Sequence, residues 1–189
     1  LALGVEGGSP SITGNTFTGQ SRTVAIYVFG PGSPVVSNNT ISGYTYPYSI
    51  NNGAKINLSG NTITGNTYTG IALGGNVYCT WTIPNYGLPY YVDGTVCLKQ
   101  SNCKLTIADG NTLNFLGSNW VYTYGTYTGD TLQANNVTFN RVGSGTPAVE
   151  LDGSGTGSIT NCTFTGLALG VEGGSPSITG TNFTGQSRT

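Results

Sequence analysis

The chain has 189 residues, enough for one domain with a substantial core. Its net charge is -1 and only 7% of it is charged, which excludes the electrostatic pull that nucleic acid or an anionic membrane surface needs from a partner. His is absent, so no Ser-His-Asp or Cys-His constellation can form within the chain, and the longest apolar run, about Val24 to Phe29, is too short to span a bilayer.

Residues 1–23, LALGVEGGSPSITGNTFTGQSRT, set the pattern. Val5, Ile12 and Phe17 stand among polar residues and glycines, as in short strands buried on one face, and the Gly/Ser/Pro clusters supply corners. The frame SITGNTFTG, anchored on Asn15, recurs as VVSNNTISG on Asn39 and NLSGNTITG on Asn61. A weaker frame, TIPNYGL, sits on Asn85, and IADGNTLNF and LQANNVTFN follow on Asn111 and Asn135. Cys162 and Thr181 stand in for the amide in the last two frames. The steps are 24, 22, 24, 26, 24, 27 and 19 residues, each close to one coil of a solenoid.

Three columns accompany the anchor. Three positions before it stand Ile12, Val36, Leu58, Leu132, Ile159 and Ile178, and two positions after it Phe17, Ile41, Ile63, Leu113, Val137, Phe164 and Phe183. About ten to twelve positions before it are Val5, Val28, Ile50, Leu73, Tyr124, Leu151 and Val171. No stretch sustains helical periodicity. Two roles fit Asn15, Asn39, Asn61, Asn111 and Asn135: an inward amide ladder along the axis, or tight corners with positive φ.

The unit x-I-x-G-N-T-I/F-T-G resembles the right-handed parallel β-helix superfamily, the repeat shape of pectate-lyase-like enzymes, phage tailspikes and many surface adhesins. The resemblance covers nearly the whole chain and weakens between Tyr78 and Lys104. It implies an all-β fold, a right-handed parallel β-helix (β-solenoid) of about seven to eight rungs. Each rung takes 19–27 residues, within a single domain over 1–189 that carries an irregular excursion at 78–104. The superfamily hosts both enzymes and inert stalks, so it fixes no function.

Cys79, Cys97 and Cys103 fall in that excursion, where a disulfide from Cys79 to Cys97 or Cys103 is expected to pin the loop in an oxidising, extracellular setting. Cys162, at an anchor, is expected to be a small buried apolar residue. With no His and no close C-x-x-C pair, neither a metal nor a cofactor is called for.

Candidate chemistry is sparse. Glu150 and Asp152 alternate on one strand face, and register puts Glu172, the counterpart of Glu6, one rung from Asp152. Such carboxylates could hold a cation or serve a glycosidase, but no basic residue stands in matching register, and an exposed acidic patch is expected. A Thr array flanks the apolar column: Thr16/Thr18, Thr40/Ser42, Thr62/Thr64, Thr112/Asn114, Asn136/Thr138, Thr163/Thr165 and Asn182/Thr184. It fits strand preference, a surface for O-linked sugar or adhesion, or an ice-binding lattice. Sequons stand at Asn38, Asn57, Asn136, Asn161 and Asn182, and tyrosines at Tyr44, Tyr46, Tyr48, Tyr90, Tyr91, Tyr122, Tyr124 and Tyr127 could present sugar-stacking rings.

The chain closes as it opens. Residues 167–189 repeat 1–23 except that Asn15-Thr16 becomes Thr181-Asn182. Neither end has the polar cap of a finished solenoid. The expectation is a 166-residue unit stacked head to tail, its partner another copy of itself, with Val5, Ile12, Asn15 and Phe17 meeting Val171, Ile178, Thr181 and Phe183. Seven coils would advance such a fibre by about 34 Å. The function expected is a non-enzymatic extracellular filament or cell-surface stalk, with attached glycans or surface polysaccharide as further partners. The alternatives are a carbohydrate-acting or carbohydrate-binding module on the acidic face, and ice binding through the Thr-x-Thr face.

Overall fold

The computed structural model describes residues 2–78, 80–153 and 156–185, with the side chains of residues 20–22 left aside. The chain is all-β: every element is a strand and all the pairings are parallel, wound as a solenoid of about eight turns. Each rung carries up to three strands, a first, second and third face in chain order. The chain divides into two compact units, residues 1–73 and 74–189.

The first unit holds rungs 1 to 3. Rung 1 is Leu3–Gly8, Ser11–Thr13 and the start of Thr16–Gly32; rung 2 continues through Val35–Ser37 and the start of Thr40–Asn51; rung 3 adds Asn57–Ser59 and Thr62–Thr64. Register stacks like on like: Val5 on Val28 on Ile50, Ile12 on Val36 on Leu58, and Phe17 on Ile41 on Ile63. Alternation along Thr40–Asn51 also turns Tyr44, Tyr46 and Tyr48 inward, each 3% exposed or less. They fill the core and are not surface rings as expected, because they share the inward parity of Ile50. Burying each ring removes apolar area from water, offset at Tyr48 by a buried hydroxyl with no partner among the described residues.

The second unit holds the rest of rung 4 and rungs 5 to 8. Its second face is a sheet of Trp81–Ile83, Lys104–Ile107, Thr131–Asn135, Thr156–Thr160 and Ser177–Thr179. Its third face ends in Thr112–Leu116, Thr138–Val142, Thr163–Thr165 and Asn182–Thr184, where Phe139, Phe164 and Phe183 lie in one column. Their rings stack with centroids 4.6 and 5.0 Å apart, which matches strand spacing and so keeps each ring on the next.

The expected excursion at 78–104 is instead regular rung. Leu105 pairs with Trp81, Ile107 with Ile83, Tyr90 with Leu113 and Val96 with Val121. The pattern is hidden because Trp81 and Tyr90 occupy columns held elsewhere by aliphatic residues, both fully inside. The corner from Ile83 to Tyr90 is also longer than that from Ile107 to Leu113.

Register corrects two anchors and two column positions. Phe139 lies under Leu113 and over Phe164, so the rung 6 anchor is Val137, two positions before Phe139, and not Asn135. Asn85 is likewise off the column; it is exposed and its Nδ2 donates to the Asp109 carbonyl at 2.9 Å. Inward partners of Ile159 and Leu151 are Ala134 and Thr123 rather than Leu132 and Tyr124. Tyr124 faces outward at 39% exposure.

Of the two readings of the corner asparagines, the ladder holds for Asn15, Asn39 and Asn61, and none of the five, Asn111 and Asn135 included, has positive φ. The anchors of the first unit form the amide ladder: Asn15 Nδ2 donates to Asn39 Oδ1 at 3.1 Å and Asn39 Nδ2 to Asn61 Oδ1 at 3.0 Å. The same oxygens accept the backbone N–H of Asn15 and Asn39. Positive φ belongs to the residue before the anchor, filled by Gly14, Asn38, Gly60, Gly87, Gly110, Asn136, Asn161 and Gly180. Gly and Asn recur there because other side chains clash with the backbone in that conformation.

Candidate functional site

Two features stand out: the last rung and a groove on the first face of the second unit. Rung 8, Ala168–Glu172, Ser177–Thr179 and Asn182–Thr184, pairs with rung 7 on its N-terminal side, and no strand follows it among the described residues. Val171, Ile178 and Phe183 of its apolar column are 43%, 39% and 44% exposed. Their sequence equivalents Val5 and Ile12 in rung 1 are 7% and 8% exposed. Asn15 is exposed and Thr181 half-buried, its Oγ1 donating to the Ile159 carbonyl at 3.3 Å.

The groove is built by parity and register together. Along Trp120–Thr123 and its extension, Trp120, Tyr122 and Tyr124 project outward, while Val121 and Thr123 fill the core. In rung 7, Ala148–Asp152 lies under that strand, with Ala148 beneath Trp120 and Glu150 beneath Tyr122. Rung 8 continues the columns with Ala168, Gly170 and Glu172. Three tall rings therefore stand beside a floor of small residues and carboxylates, enclosing about 370 Å³ against Thr95, Ser118, Glu150 and Asp152. Trp120 meets Tyr122 edge-on at 6.4 Å, Tyr122 meets Tyr124 at 6.0 Å, and Lys99 Nζ lies 5.4 Å over the Tyr124 ring. Each such contact adds about 0.5–1.5 kcal/mol beyond area burial.

The expected acidic register is present: Asp152 pairs with Glu172, and Glu150 lies one strand step from Asp152. Burial, then the negative charges of Glu172 and Asp152, push the Glu150 carboxyl above its ordinary value. Asp152 is tied down, its Oδ2 accepting the Gly125 N–H at 3.1 Å and its own N–H donating to Thr123 Oγ1 at 2.9 Å. No group of three or more His, Cys, Asp or Glu residues that could hold a metal occurs among the described residues. The wall itself was only partly legible: Tyr122 was expected on the surface, Tyr124 was named both there and in the inward column, and Trp120 was missed.

Comparison with known proteins bears on the fold. Residues 2–82 match the family model described as a right handed beta helix region. No curated protein and no solved structure is significantly similar to the chain. The match covers the first rungs, and parallel, in-register stacking carries the same fold through the rungs that follow. The fold is a parallel β-solenoid of right-handed type.

Elsewhere on the β-helix, the third face carries the Thr array with one correction: register aligns Thr138 and Asn140, not Asn136 and Thr138, with Thr112 and Asn114. Asn136 is instead the positive-φ corner. The sequon residues Asn38, Asn57, Asn136, Asn161 and Asn182 are all exposed. Of the cysteines, Cys162 is buried as expected, while the strand that holds Cys97 differs from the loop expected there. Cys97 is a buried thiol that faces outward above Tyr122, and no bond joins it to Cys103, also buried. A strand runs through Cys97 where a loop to be pinned was expected. Cys79 lies outside the described residues. Burial, with a smaller push from Asp130, raises the Cys97 pKa against the lowering pull of Tyr122's hydrogen bond and Lys99's charge. Cys162 fills the anchor column of rung 7 at 1% exposure.

Proposed function

We propose that the chain is a structural subunit of an extracellular filament or cell-surface stalk, in which copies join head to tail by stacking rung on rung. The supporting observation is the contrast between two nearly identical rungs. In rung 1, which rung 2 follows, Val5 and Ile12 are 7% and 8% exposed; in rung 8, Val171 and Ile178 are 43% and 39% exposed. Among the described residues each of these rungs has one neighbour, and only the neighbour on the C-terminal side closes the column. The sequence shared by 1–23 and 167–189 thus carries side chains shaped to bury against a rung that follows.

A second copy supplies that rung. Its Phe17 would extend the ring column of Phe139, Phe164 and Phe183, and its Ile12 would lie under Ile178. Strand edges left open at the two ends would pair as they pair inside each unit. Because the surfaces that meet differ, the contact does not close on itself and growth gives a filament. The task is mechanical and non-enzymatic: continuous backbone pairing and a dry apolar column transmit load across each junction.

Sedimentation velocity over a concentration series, with negative-stain microscopy of the same samples, tests this. The chain should form thin filaments as concentration rises. The double variant Ile178→Lys, Phe183→Lys should stay monomeric with an unchanged strand spectrum, since both residues are already part-exposed. A wild-type chain that remains a single particle at every concentration overturns the proposal.

A further inference from the structure

The groove on the first face of the second unit points to an activity separate from end-to-end stacking: we infer that it binds a short, uncharged oligosaccharide. The wall of Trp120, Tyr122 and Tyr124 comes from alternate residues of one extended stretch, so it runs about 13 Å along the strand direction. That is long enough for a short chain of sugar rings rather than a single ring. Trp120 stands edge-on to Tyr122 at 81° and Tyr122 is tilted by 58° to Tyr124, so each ring offers its own face, and what lies at their foot is small: Ala148 under Trp120, then Ala168 and Gly170 in the next rung. A Cβ at Gly170 would come within 3.3 Å of the Glu150 Cγ, so a larger residue there would crowd Glu150 and fill the floor.

Aromatic rings beside hydrogen-bonding groups are what a saccharide requires. The apolar face of a pyranose stacks on a ring, while its hydroxyls need acceptors around the rim. Glu150 and Asp152 supply those acceptors, and ionised carboxylates accept hydroxyl hydrogen bonds more strongly than neutral groups do. Their charge also sets the selectivity. Glu150, Asp152 and Glu172 together repel uronates and sulfated sugars, with Lys99 already engaged over Tyr124 at the upper rim. A protein partner fits less well, because the groove has no deep apolar pocket to seat a buried anchor side chain.

The fluorescence of the chain provides a direct readout, since Trp81 is 1% exposed and Trp120 36%. The full chain carrying Trp81→Phe leaves Trp120 as the reporter. It is titrated with neutral β-linked gluco-, xylo- and manno-oligosaccharides, with oligogalacturonate and with an oligolysine peptide. At least one neutral series should shift the Trp120 emission saturably. In the otherwise wild-type chain, Trp120→Ala or Tyr124→Ala should weaken that binding at least tenfold by calorimetry, and Trp120→Phe should keep most of it. Glu150→Gln with Asp152→Asn should weaken neutral binding only a few-fold while admitting oligogalacturonate. The inference is overturned if no neutral sugar binds, if binding survives loss of Trp120 and Tyr124 together, or if oligolysine alone binds and does so through the carboxylates.

Discussion

At the residue scale, one side chain type does different work in the two units. Asn39 is 1% exposed and uses every atom of its amide: Oδ1 accepts from the N–H and Nδ2 of Asn15, and Nδ2 donates to Asn61 Oδ1 and to the Ile12 carbonyl at 2.8 Å. Asn111 is equally buried, but its Nδ2 donates only to the carbonyls of Ile83 and Pro84, and its Oδ1 finds no partner among the described residues. An orphaned buried oxygen costs about 1–3 kcal/mol, whereas a saturated amide returns its desolvation. Asn39→Ala should therefore destabilise the chain by about 2–4 kcal/mol in urea unfolding, because it strands donors and acceptors on both neighbouring rungs. Asn111→Val, which copies the Val137 of the next rung, should be neutral or stabilising by up to about 1 kcal/mol. The amide ladder was legible from the Asn repeats in the first unit. It misled in the second, where Asn135 and Asn85 lie beside the column. The stricter signal was the Gly or Asn of positive φ, which precedes Asn15, Asn39, Asn61, Asn111, Val137, Cys162 and Thr181 alike.

At the element scale, the second face shows how register rather than composition shapes the core. Trp81, Leu105, Leu132 and Gly157 form one inward column, so a column that begins with the largest side chain ends with none. A Cβ built on Gly157 would lie 2.0 Å from the Leu132 carbonyl oxygen, a backbone atom fixed by strand pairing. Gly157→Ala should then push Thr156–Thr160 off its partner and cost about 1–3 kcal/mol of stability, measured by urea midpoint. Hydrogen exchange should speed up in Thr131–Asn135 and Ser177–Thr179 first, since both pair with the displaced strand. An unchanged midpoint would mean the rung can slide to make room. Sequence gave little warning here. The apolar columns predict which residues face inward, yet a glycine in GSGTGSIT looks like one more corner, and only pairing reveals that it lies in a strand. The rung at 78–104 was missed for the opposite reason, because Trp81 and Tyr90 are too large to look like column residues until neighbours are known.

At the scale of the whole molecule, the repeat itself supplies a test that does not depend on two molecules meeting. In rung 1 the following rung is residues 24–42, whose Val28, Val36 and Ile41 cover Val5, Ile12 and Phe17. Rung 8 has the same sequence as rung 1 but for a two-residue exchange, so residues 24–64 appended after Thr189 should dock on it as they dock on rung 1. A solenoid is stabilised by nearest-neighbour interfaces, and the added interface should therefore be felt locally. Amide exchange in Ser177–Thr179 and Asn182–Thr184, now at the end of the stack, should slow by at least tenfold, and Val171, Ile178 and Phe183 should become inaccessible. The exchange at Thr181 and Asn182 supplies an internal control. The ladder donor lost at Thr181 leaves one fewer bond at this junction than at Asn15, so reverting Thr181→Asn in the extended chain should add about 1 kcal/mol. An extension that leaves exchange in the last rung unaltered would show that the exposed column is not shaped for a following rung. The head-to-tail fibre would lose its support with it, whatever the groove on the first face proves to bind.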